Sequence, residues 1–227
     1  MADEEENKVV LIGESGVGKT CIINQFINNE YNDDTKPTMT YQFCQKTFEF
    51  PGNKKITLDI WDTAGQERYR SLNTIFYKNV RVAILVYDIT NKISFEEAKN
   101  FWYEQVKQNC DNKKLILAVA ANKCDLYEER QVKDEEGEKY AKSIGAFYAS
   151  TSAKNDSGIN DLFEKIANKL LNPNSDLNAN GQEAEEKDEN GNDTKEEVTE
   201  NNIDNSRKSV KLDKNNNAPK KDKKKCC

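Results

Sequence analysis

The chain contains no histidine. This absence excludes the Ser-His nucleophile pair, imidazole ligation of metals and the commonest general base in enzymes. Phosphoryl transfer is the chemistry that it affects least, because there the protein contributes mainly positioning and charge stabilisation. No apolar run approaches the roughly 18 residues of a membrane-spanning helix, and Met1 to Asn7 are too few and too acidic for a signal peptide. We therefore expect a cytosolic protein that is at most peripheral to membranes.

Cysteine is sparse within the body of the chain. Four of the six cysteines fall in predicted strands, helices or loops without the spacing of a metal site; they are Cys21, Cys44, Cys110 and Cys124. We interpret these four as reduced thiols, as is usual in the cytosol.

Charge is distributed unevenly, although the formal net charge is only −6. Apolar periodicity stops after residue 171, residues 173–204 are mainly acidic and residues 205–225 are mainly basic. Such a composition does not offer enough apolar surface to form a core. The sequence predicts a folded domain over residues 1–171 and a disordered tail over residues 172–227.

Strand-like and helix-like runs alternate through the first 171 residues. The strand-like runs cover 8–12, 43–50, 54–61, 80–88, 115–121 and 146–150, and the helical stretches lie near 19–28, 94–108, 134–143 and 158–171. This alternation predicts an α/β fold with a doubly wound, mostly parallel six-stranded sheet and helices on both faces. Ligands of such sheets bind at the carboxyl ends of the strands.

A phosphate-binding loop of the P-loop NTPase type follows the first predicted strand. Residues 13–20 read Gly-Glu-Ser-Gly-Val-Gly-Lys-Thr, directly before a helical stretch. Glycines let backbone N–H groups approach a polyphosphate closely, and the positive end of the helix points at the anion. Lys19 is expected at the β- and γ-phosphate oxygens, and Thr20 at Mg²⁺. The predicted phosphate-binding residues here are Gly13, Ser15, Gly16, Val17, Gly18, Lys19, Thr20 and Cys21.

Two later strand ends predict that the base is guanine. The first ends in Asn122-Lys123-Cys124-Asp125, where the Asp125 carboxylate can accept two parallel hydrogen bonds from guanine N1–H and N2–H₂. Adenine offers a lone pair at N1 and no 2-amino group, so it would leave that carboxylate unpaired. The second carries Ser152, Ala153 and Lys154, with the Ala153 N–H facing the base carbonyl. A plain turn is the alternative for either segment alone.

A third strand end supplies groups for the metal and the γ-phosphate. Asp62 ends the apolar run Leu58-Asp59-Ile60-Trp61 and is expected to hold Mg²⁺ through water. Gly65 can turn its N–H toward a γ-phosphate, and Gln66 can orient a water for in-line attack. With Lys19 neutralising developing charge, this arrangement predicts GTP hydrolysis to GDP and phosphate. No arginine is placed to act in cis, so we expect slow turnover that a partner protein accelerates.

These motifs resemble those of Rab-type small GTPases of the Ras superfamily over residues 7–171. Residues 61–72, Trp-Asp-Thr-Ala-Gly-Gln-Glu-Arg-Tyr-Arg-Ser-Leu, are similar to the Rab switch II segment. The resemblance implies that Tyr31 lies edge-on to the purine and that Thr38 closes on Mg²⁺ and the γ-phosphate. It also implies an effector-binding aromatic triad of Phe43, Trp61 and Phe76, for which ordinary core packing is the alternative.

The segment around Thr38 departs from the usual Rab pattern. Thr40 stands where a glycine is usual, and Lys36-Pro37 precede the threonine, where Pro37 stiffens a loop that has to open and close. Thr35 and Thr40 are alternative donors of the closing hydroxyl. Thr38 is favoured because its spacings from Thr20, Tyr31 and Phe43 fit the family without a gap. A protein that holds GTP without cycling is therefore the alternative to a switch. An ATPase or nucleotide kinase is a more distant third.

The tail ends in Cys226-Cys227 after a lysine-rich stretch. The resemblance implies that both cysteines are geranylgeranylated, and two lipid chains with basic residues meet the requirement for stable anchoring. A nucleic-acid-binding arm is the alternative, but no aromatic residues interleave with the lysines; we expect no nucleic-acid partner.

The resemblance also implies a set of partners and a location. The partners are GTP and GDP, an exchange factor, a GTPase-activating protein, effectors, an escort protein and a dissociation inhibitor, with Mg²⁺ as cofactor. A monomer is expected on the cytoplasmic face of intracellular membranes, with a soluble cytosolic pool. The stretch 67–72 and residues 77–79 favour the endosomal group of Rabs.

Overall fold

The computed structural model describes residues 6–33, 38, 41–63, 77–110, 112 and 114–174. Contacts divide the chain into two units, Met1–Gly181 and Gln182–Cys227, and every described residue belongs to the first. From residue 175 onward the predicted tail lies outside the described residues, as do Lys36, Pro37 and the alternative threonines Thr35 and Thr40.

Six strands form one sheet in the order β2-β3-β1-β4-β5-β6. The strands are β1 (Asn7–Ile12), β2 (Gln42–Phe50), β3 (Lys54–Asp62), β4 (Val82–Asp88), β5 (Ile116–Asn122) and β6 (Phe147–Ser150). Five of them run parallel, and β2 pairs antiparallel with β3. The predicted fold class is confirmed, and the strand bounds differ from the sequence prediction by one or two residues.

The helices pack against both faces of this sheet. They are α1 (Lys19–Asn28), α2 (Lys92–Glu97), α3 (Tyr103–Asn109), α4 (Asp134–Ser143) and α5 (Ile159–Leu171), with a short 3₁₀ turn at Tyr127–Glu129. Successive strand residues point to opposite faces, so Val9 and Leu11 join the core under α1 and α5 while Val10 and Ile12 join the other core. All seven residues of β4 are buried, as a central parallel strand requires.

The helix predicted near 94–108 is longer and less regular than the sequence indicates. It begins at Lys92, after the Asn91 side chain accepts hydrogen bonds from Ile93 N and Ser94 N. A π-helical turn, Ala98–Trp102, then separates α2 from α3. The buried residues Phe95, Ala98, Trp102 and Val106 still follow ordinary helical spacing, so periodicity alone does not reveal the π turn.

The loop between β6 and α5 folds back on itself. Ser152 and Ser157 exchange two backbone hydrogen bonds of 2.9 and 3.0 Å, and Gly158 then starts α5 with a φ of 69°. A Cβ at Gly158 would lie 2.1 Å from Ser150 O. Glycine at this position therefore allows the backbone at the start of α5 to pack directly against Ser150 at the end of β6, which closes the loop that carries Ser152 and Lys154.

No helix in the described part of the chain has both the length and the apolar character that crossing a bilayer requires.

We predict that Gly158→Ala destabilises the fold more than Gly145→Ala does. Gly145 has a similar φ of 67°, but a Cβ there meets nothing within 4 Å. The control therefore measures backbone strain alone, about 1–2 kcal/mol, whereas Gly158→Ala adds a clash with backbone and is expected to cost about 3 kcal/mol or more. Urea unfolding of both variants measures the difference; equal losses would contradict the close approach at Gly158.

Candidate functional site

The phosphate loop connects β1 to α1 and is held tightly at two of its glycines. A Cβ at Gly13, whose φ is 150°, would lie 2.2 Å from Val86 O, and a Cβ at Gly18, whose φ is 93°, would lie 2.3 Å from Asn122 Nδ2. A Cβ at Gly16 would meet no atom within 4 Å. Side chains are thus excluded from behind the loop, and the loop faces open space at Gly16, as a polyphosphate cradle requires.

Lys19 lies across this loop with its ammonium buried. Its Nζ donates hydrogen bonds to Gly13 O at 2.8 Å and Glu14 O at 2.9 Å. Burial lowers the pKa of Lys19 to about 8, against the opposing attraction of Asp62 and Glu14. The ammonium is therefore held at the centre of the loop. An anion bound there would favour its charged form and so offset the effect of burial.

Three predicted metal-site residues converge although they come from separate parts of the chain. Thr20 Oγ1 donates to Asp62 Oδ2 at 2.6 Å and lies 2.6 Å from Thr38 Oγ1. Thr38 Oγ1 is 3.5 Å from the same carboxylate oxygen. One hydroxyl from α1, one from the segment before β2 and one carboxylate from the end of β3 therefore share a single point.

The Asp62 carboxylate has the properties of a group that faces a cation. Its Oδ1 is buried with no hydrogen-bond partner among the described residues. Burial raises the pKa of Asp62, while hydrogen bonding from Thr20 and the charge of Lys19 oppose that shift. Hydroxyl and carboxylate oxygens are ligands that suit Mg²⁺. Thr20, Thr38 and Asp62 therefore fit this ion.

Asn122 joins the phosphate loop to the predicted base-binding segments. Its Nδ2 donates to Val17 O at 2.8 Å, and its Oδ1 accepts from Thr151 Oγ1 at 3.2 Å. The side chain is 1 % exposed, so these hydrogen bonds form away from competing water. The carboxyl ends of β1, β5 and β6 are thereby fixed relative to one another.

The predicted base-reading residues also lie together. Ser152 Oγ donates to Asp125 Oδ1 at 2.5 Å and accepts from Asn155 N at 3.1 Å. Ala153 is buried and Lys154 is exposed in the same loop. The serine hydroxyl thus orients the carboxylate on which the guanine prediction depends.

Lys123 adopts a left-handed backbone conformation with a φ of 64°. Its Nζ pairs with Asp88 Oδ2 at 2.6 Å, and Asp88 Oδ1 accepts from Thr90 N and Thr90 Oγ1 at 2.8 and 2.7 Å. Asp88 was not predicted as a site residue. Its signal in the sequence is that it is the single acidic residue of β4 and stands at the carboxyl end of that strand.

Tyr31 lies on the surface beyond α1. It is 38 % exposed, and its hydroxyl donates to Asp33 Oδ1 at 2.8 Å. Desolvation and the neighbouring Asp33 raise the pKa of Tyr31 to about 12, with a smaller contribution from Asp125. The contact of this ring with the purine stays a prediction.

An aromatic surface lies on β2 and β3. We define it by Tyr41, Phe43 and Trp61, whose ring centroids are 5.6 Å apart for Tyr41 and Trp61 and 5.0 Å for Phe43 and Trp61. Tyr41 and Phe43 are 57 % and 50 % exposed, so packing in the core does not account for Phe43. Lys8 Nζ lies 5.1 Å from the Trp61 ring centroid. Tyr41 was not predicted to belong to this surface.

Five predicted site residues lie outside the described residues: Gly65, Gln66, Phe76, Cys226 and Cys227.

The fold and the site together define a P-loop domain of the small GTPase class. The model of the Ras family matches residues 8–172. The chain is 43% identical over 182 residues to Ras-related protein Rab-21 of Dictyostelium discoideum, covering 80% of this chain and 82% of that protein. It is 42% identical over 164 residues to human Rab-21, covering 72% of each. Human Rab-22A is 39% identical over 173 residues, covering 76% of this chain and 87% of that protein.

The chain belongs to the Ras family and is a Rab-type small GTPase. The resemblance stated from the motifs is thereby confirmed, and so is the assignment as a GTP hydrolase. A role in vesicle traffic and association with endomembranes follow for the family as a whole.

Proposed function

We propose that the chain is a GTP/GDP switch that recruits effectors to the cytoplasmic face of intracellular membranes. The observation that carries this proposal is the convergence of Thr20, Thr38 and Asp62. Thr20 belongs to the start of α1, whereas Thr38 lies within residues 34–40 and Asp62 shortly precedes residues 64–76. A ligand held at this point is therefore linked to both segments, as a nucleotide-dependent switch requires.

The nucleotide is proposed to lie along the carboxyl ends of β1, β5 and β6. Its phosphates contact the loop 13–21, Thr38 and Gly65, and its guanine contacts Tyr31, Asn122, Lys123, Asp125 and the segment 152–154. Support comes from the buried Lys19 ammonium and from the orientation of Asp125 by Ser152. Thr20, Thr38 and Asp62 would hold Mg²⁺, which would neutralise negative charge on the phosphates.

Hydrolysis is proposed to depend on Lys19 and Gln66. Lys19 stabilises the charge that develops on the phosphate oxygens, and Gln66 orients the attacking water. Turnover by the chain alone is expected to be on the order of 10⁻⁴–10⁻³ s⁻¹, as in Ras-type sites that lack an arginine. A GTPase-activating protein then raises the rate, and an exchange factor replaces GDP by GTP.

Effectors are proposed to bind the aromatic surface together with Phe76. Exposed aromatic side chains are enriched at the energetic centres of interfaces. Because Trp61 directly precedes Asp62, a change at the metal site is transmitted to this surface through one peptide unit. Effector binding is thereby linked to the bound nucleotide.

We predict that Gln66→Leu slows single-turnover GTP hydrolysis by about tenfold or more, because the attacking water loses its orienting group. GDP affinity should stay unchanged, since Gln66 contacts water rather than the diphosphate. Gln131→Leu, an exposed glutamine near α4, is the matched control and should hydrolyse GTP like the unaltered chain.

Unchanged hydrolysis in Gln66→Leu would remove this residue from the mechanism. If the unaltered chain binds GTP but does not hydrolyse it, even with a membrane extract as a source of activators, the non-cycling alternative would replace the switch.

Membrane attachment is proposed to occur through geranylgeranyl groups on Cys226 and Cys227, after delivery by an escort protein. Each buried methylene contributes about 0.8 kcal/mol, and each lysine near an anionic leaflet adds about 1 kcal/mol. A dissociation inhibitor that covers the lipids would maintain the cytosolic pool.

We predict that the double variant Cys226→Ser, Cys227→Ser moves the protein from the membrane to the soluble fraction of the source cell, because no thiol remains for prenylation. Asn216→Ser, Asn217→Ser changes the same tail without removing a thiol and should remain on membranes. Membrane fractionation with immunoblotting checks both. Continued sedimentation of the cysteine variant with membranes would refute the lipid anchor.

A further inference from the structure

Glu14 places a negative charge within the loop that is to bind phosphate. The residue lies between Gly13, which touches β4, and Ser15 at the open side of the loop. A carboxylate that could turn toward the phosphates would repel them, and the repulsion would be strong because the site is partly buried. The loop therefore needs a device that keeps the Glu14 carboxylate directed elsewhere.

The indole of Trp102 supplies a hydrogen bond to this carboxylate. Trp102 Nε1 donates to Glu14 Oε1 at 3.0 Å across 88 residues of sequence. The Trp102 side chain is fully buried, and its ring packs edge-on against Phe101 with centroids 5.0 Å apart. An indole N–H can only donate, so a buried indole and an adjacent carboxylate satisfy each other.

The backbone at Trp102 forms a π turn, and the backbone carbonyl of Glu14 accepts a hydrogen bond from Lys19. Trp102 is the last residue of the π-helical turn between α2 and α3, and such turns are rare and frequent at functional sites. The backbone carbonyl of Glu14 accepts from Lys19 Nζ at 2.9 Å, and the Glu14 charge also attracts that ammonium. Glu14 thus connects the π turn to the central cation of the phosphate loop.

We propose that Trp102 is a positioning residue that holds the Glu14 carboxylate toward the core, so that the loop retains its affinity for a guanine nucleotide. This proposal rests on the nucleotide site proposed above. It has a specific consequence: loss of the indole donor weakens nucleotide binding only as long as the charge on Glu14 is present.

Trp102→Phe is expected to accelerate GDP dissociation by roughly tenfold, the effect of losing one charge-assisted hydrogen bond of modest strength. In the Glu14→Gln background the same substitution should change the rate by no more than about twofold, because no charge is left to release. Displacement of a fluorescent GDP analogue, measured by stopped flow on the full-length chain with Mg²⁺, gives all four rates.

Phe95→Leu is the matched control for lost packing. Phe95 is fully buried in the same core as Trp102, and its ring packs against Tyr87 of β4 with centroids 4.8 Å apart. It should lower thermal stability like Trp102→Phe and leave GDP dissociation unchanged. Equal acceleration in the presence and absence of the Glu14 charge, or no acceleration at all, would overturn the proposal. If the unaltered chain fails to bind GDP, the nucleotide site itself is refuted instead.

If Trp102→Phe does not fold, an NMR measurement tests the hydrogen bond between Trp102 and Glu14 directly. The chain has two tryptophans, so Trp61→Phe leaves the Trp102 indole as the single Nε1–H signal in a ¹⁵N–¹H spectrum. Adding Glu14→Ala should move that signal upfield, because the proton loses its acceptor, whereas Glu14→Gln should keep most of the downfield shift. A signal at the same position with and without Glu14→Ala would overturn the contact.

Discussion

The side chain of Asn122 is the constraint on which the rest of the site depends. Its amide donates to the phosphate loop at Val17 O and accepts from Thr151, which begins the loop that carries Ser152. It also lies where any side chain at residue 18 would have to be, 2.3 Å from an added Cβ. The glycine and the asparagine therefore require each other. The Asn122 side chain thus connects the predicted phosphate-binding loop to the predicted base-binding loop. The strands that carry these loops are held in place by the pairing of β1 with β4 and of β4 with β5, two parallel pairs in the buried centre of the sheet.

Two buried charged groups of the site, Lys19 and Asp62, would each gain a partner of opposite charge from a magnesium-bound nucleotide. Lys19 is buried with a lowered pKa of about 8, Asp62 is buried with a raised pKa, and Asp62 Oδ1 has no partner in the described part of the chain. A phosphate would favour the charged lysine, and a cation would favour the charged carboxylate. A ligand that bridged these charges would contact Thr20, Thr38 and Asp62, which come from separate parts of the chain.

Much of this arrangement could be predicted from the sequence because it depends on local rules. Glycine spacing, strand length and the polar residues at strand ends located the phosphate loop, Asp62, Asn122 and Asp125, and the alternation of elements gave the order of layers. Contacts between distant side chains could not be predicted in this way. The pairing of Trp102 with Glu14 joins residues that lie 88 positions apart in the sequence, and the pairing of Lys123 with Asp88 depends on the register of β4 and β5. Tyr41 likewise joins Trp61 only once β2 and β3 are aligned.

Selection of guanine is proposed to depend on the Asp125 carboxylate, which Ser152 orients. Its most direct test is the equilibrium affinity of the purified chain and of Asp125→Asn for GDP, XDP and ADP, with Asp156→Asn, an exposed neighbour in the same region, as the control. We expect the unaltered chain and the control to prefer GDP strongly over both other nucleotides. The Asp125→Asn variant should shift toward XDP, because an amide can donate to the 2-oxo group that replaces the 2-amino group. Preference for ADP by the unaltered chain, or undiminished preference for GDP over XDP in Asp125→Asn, would show that the Asp125 carboxylate does not select guanine.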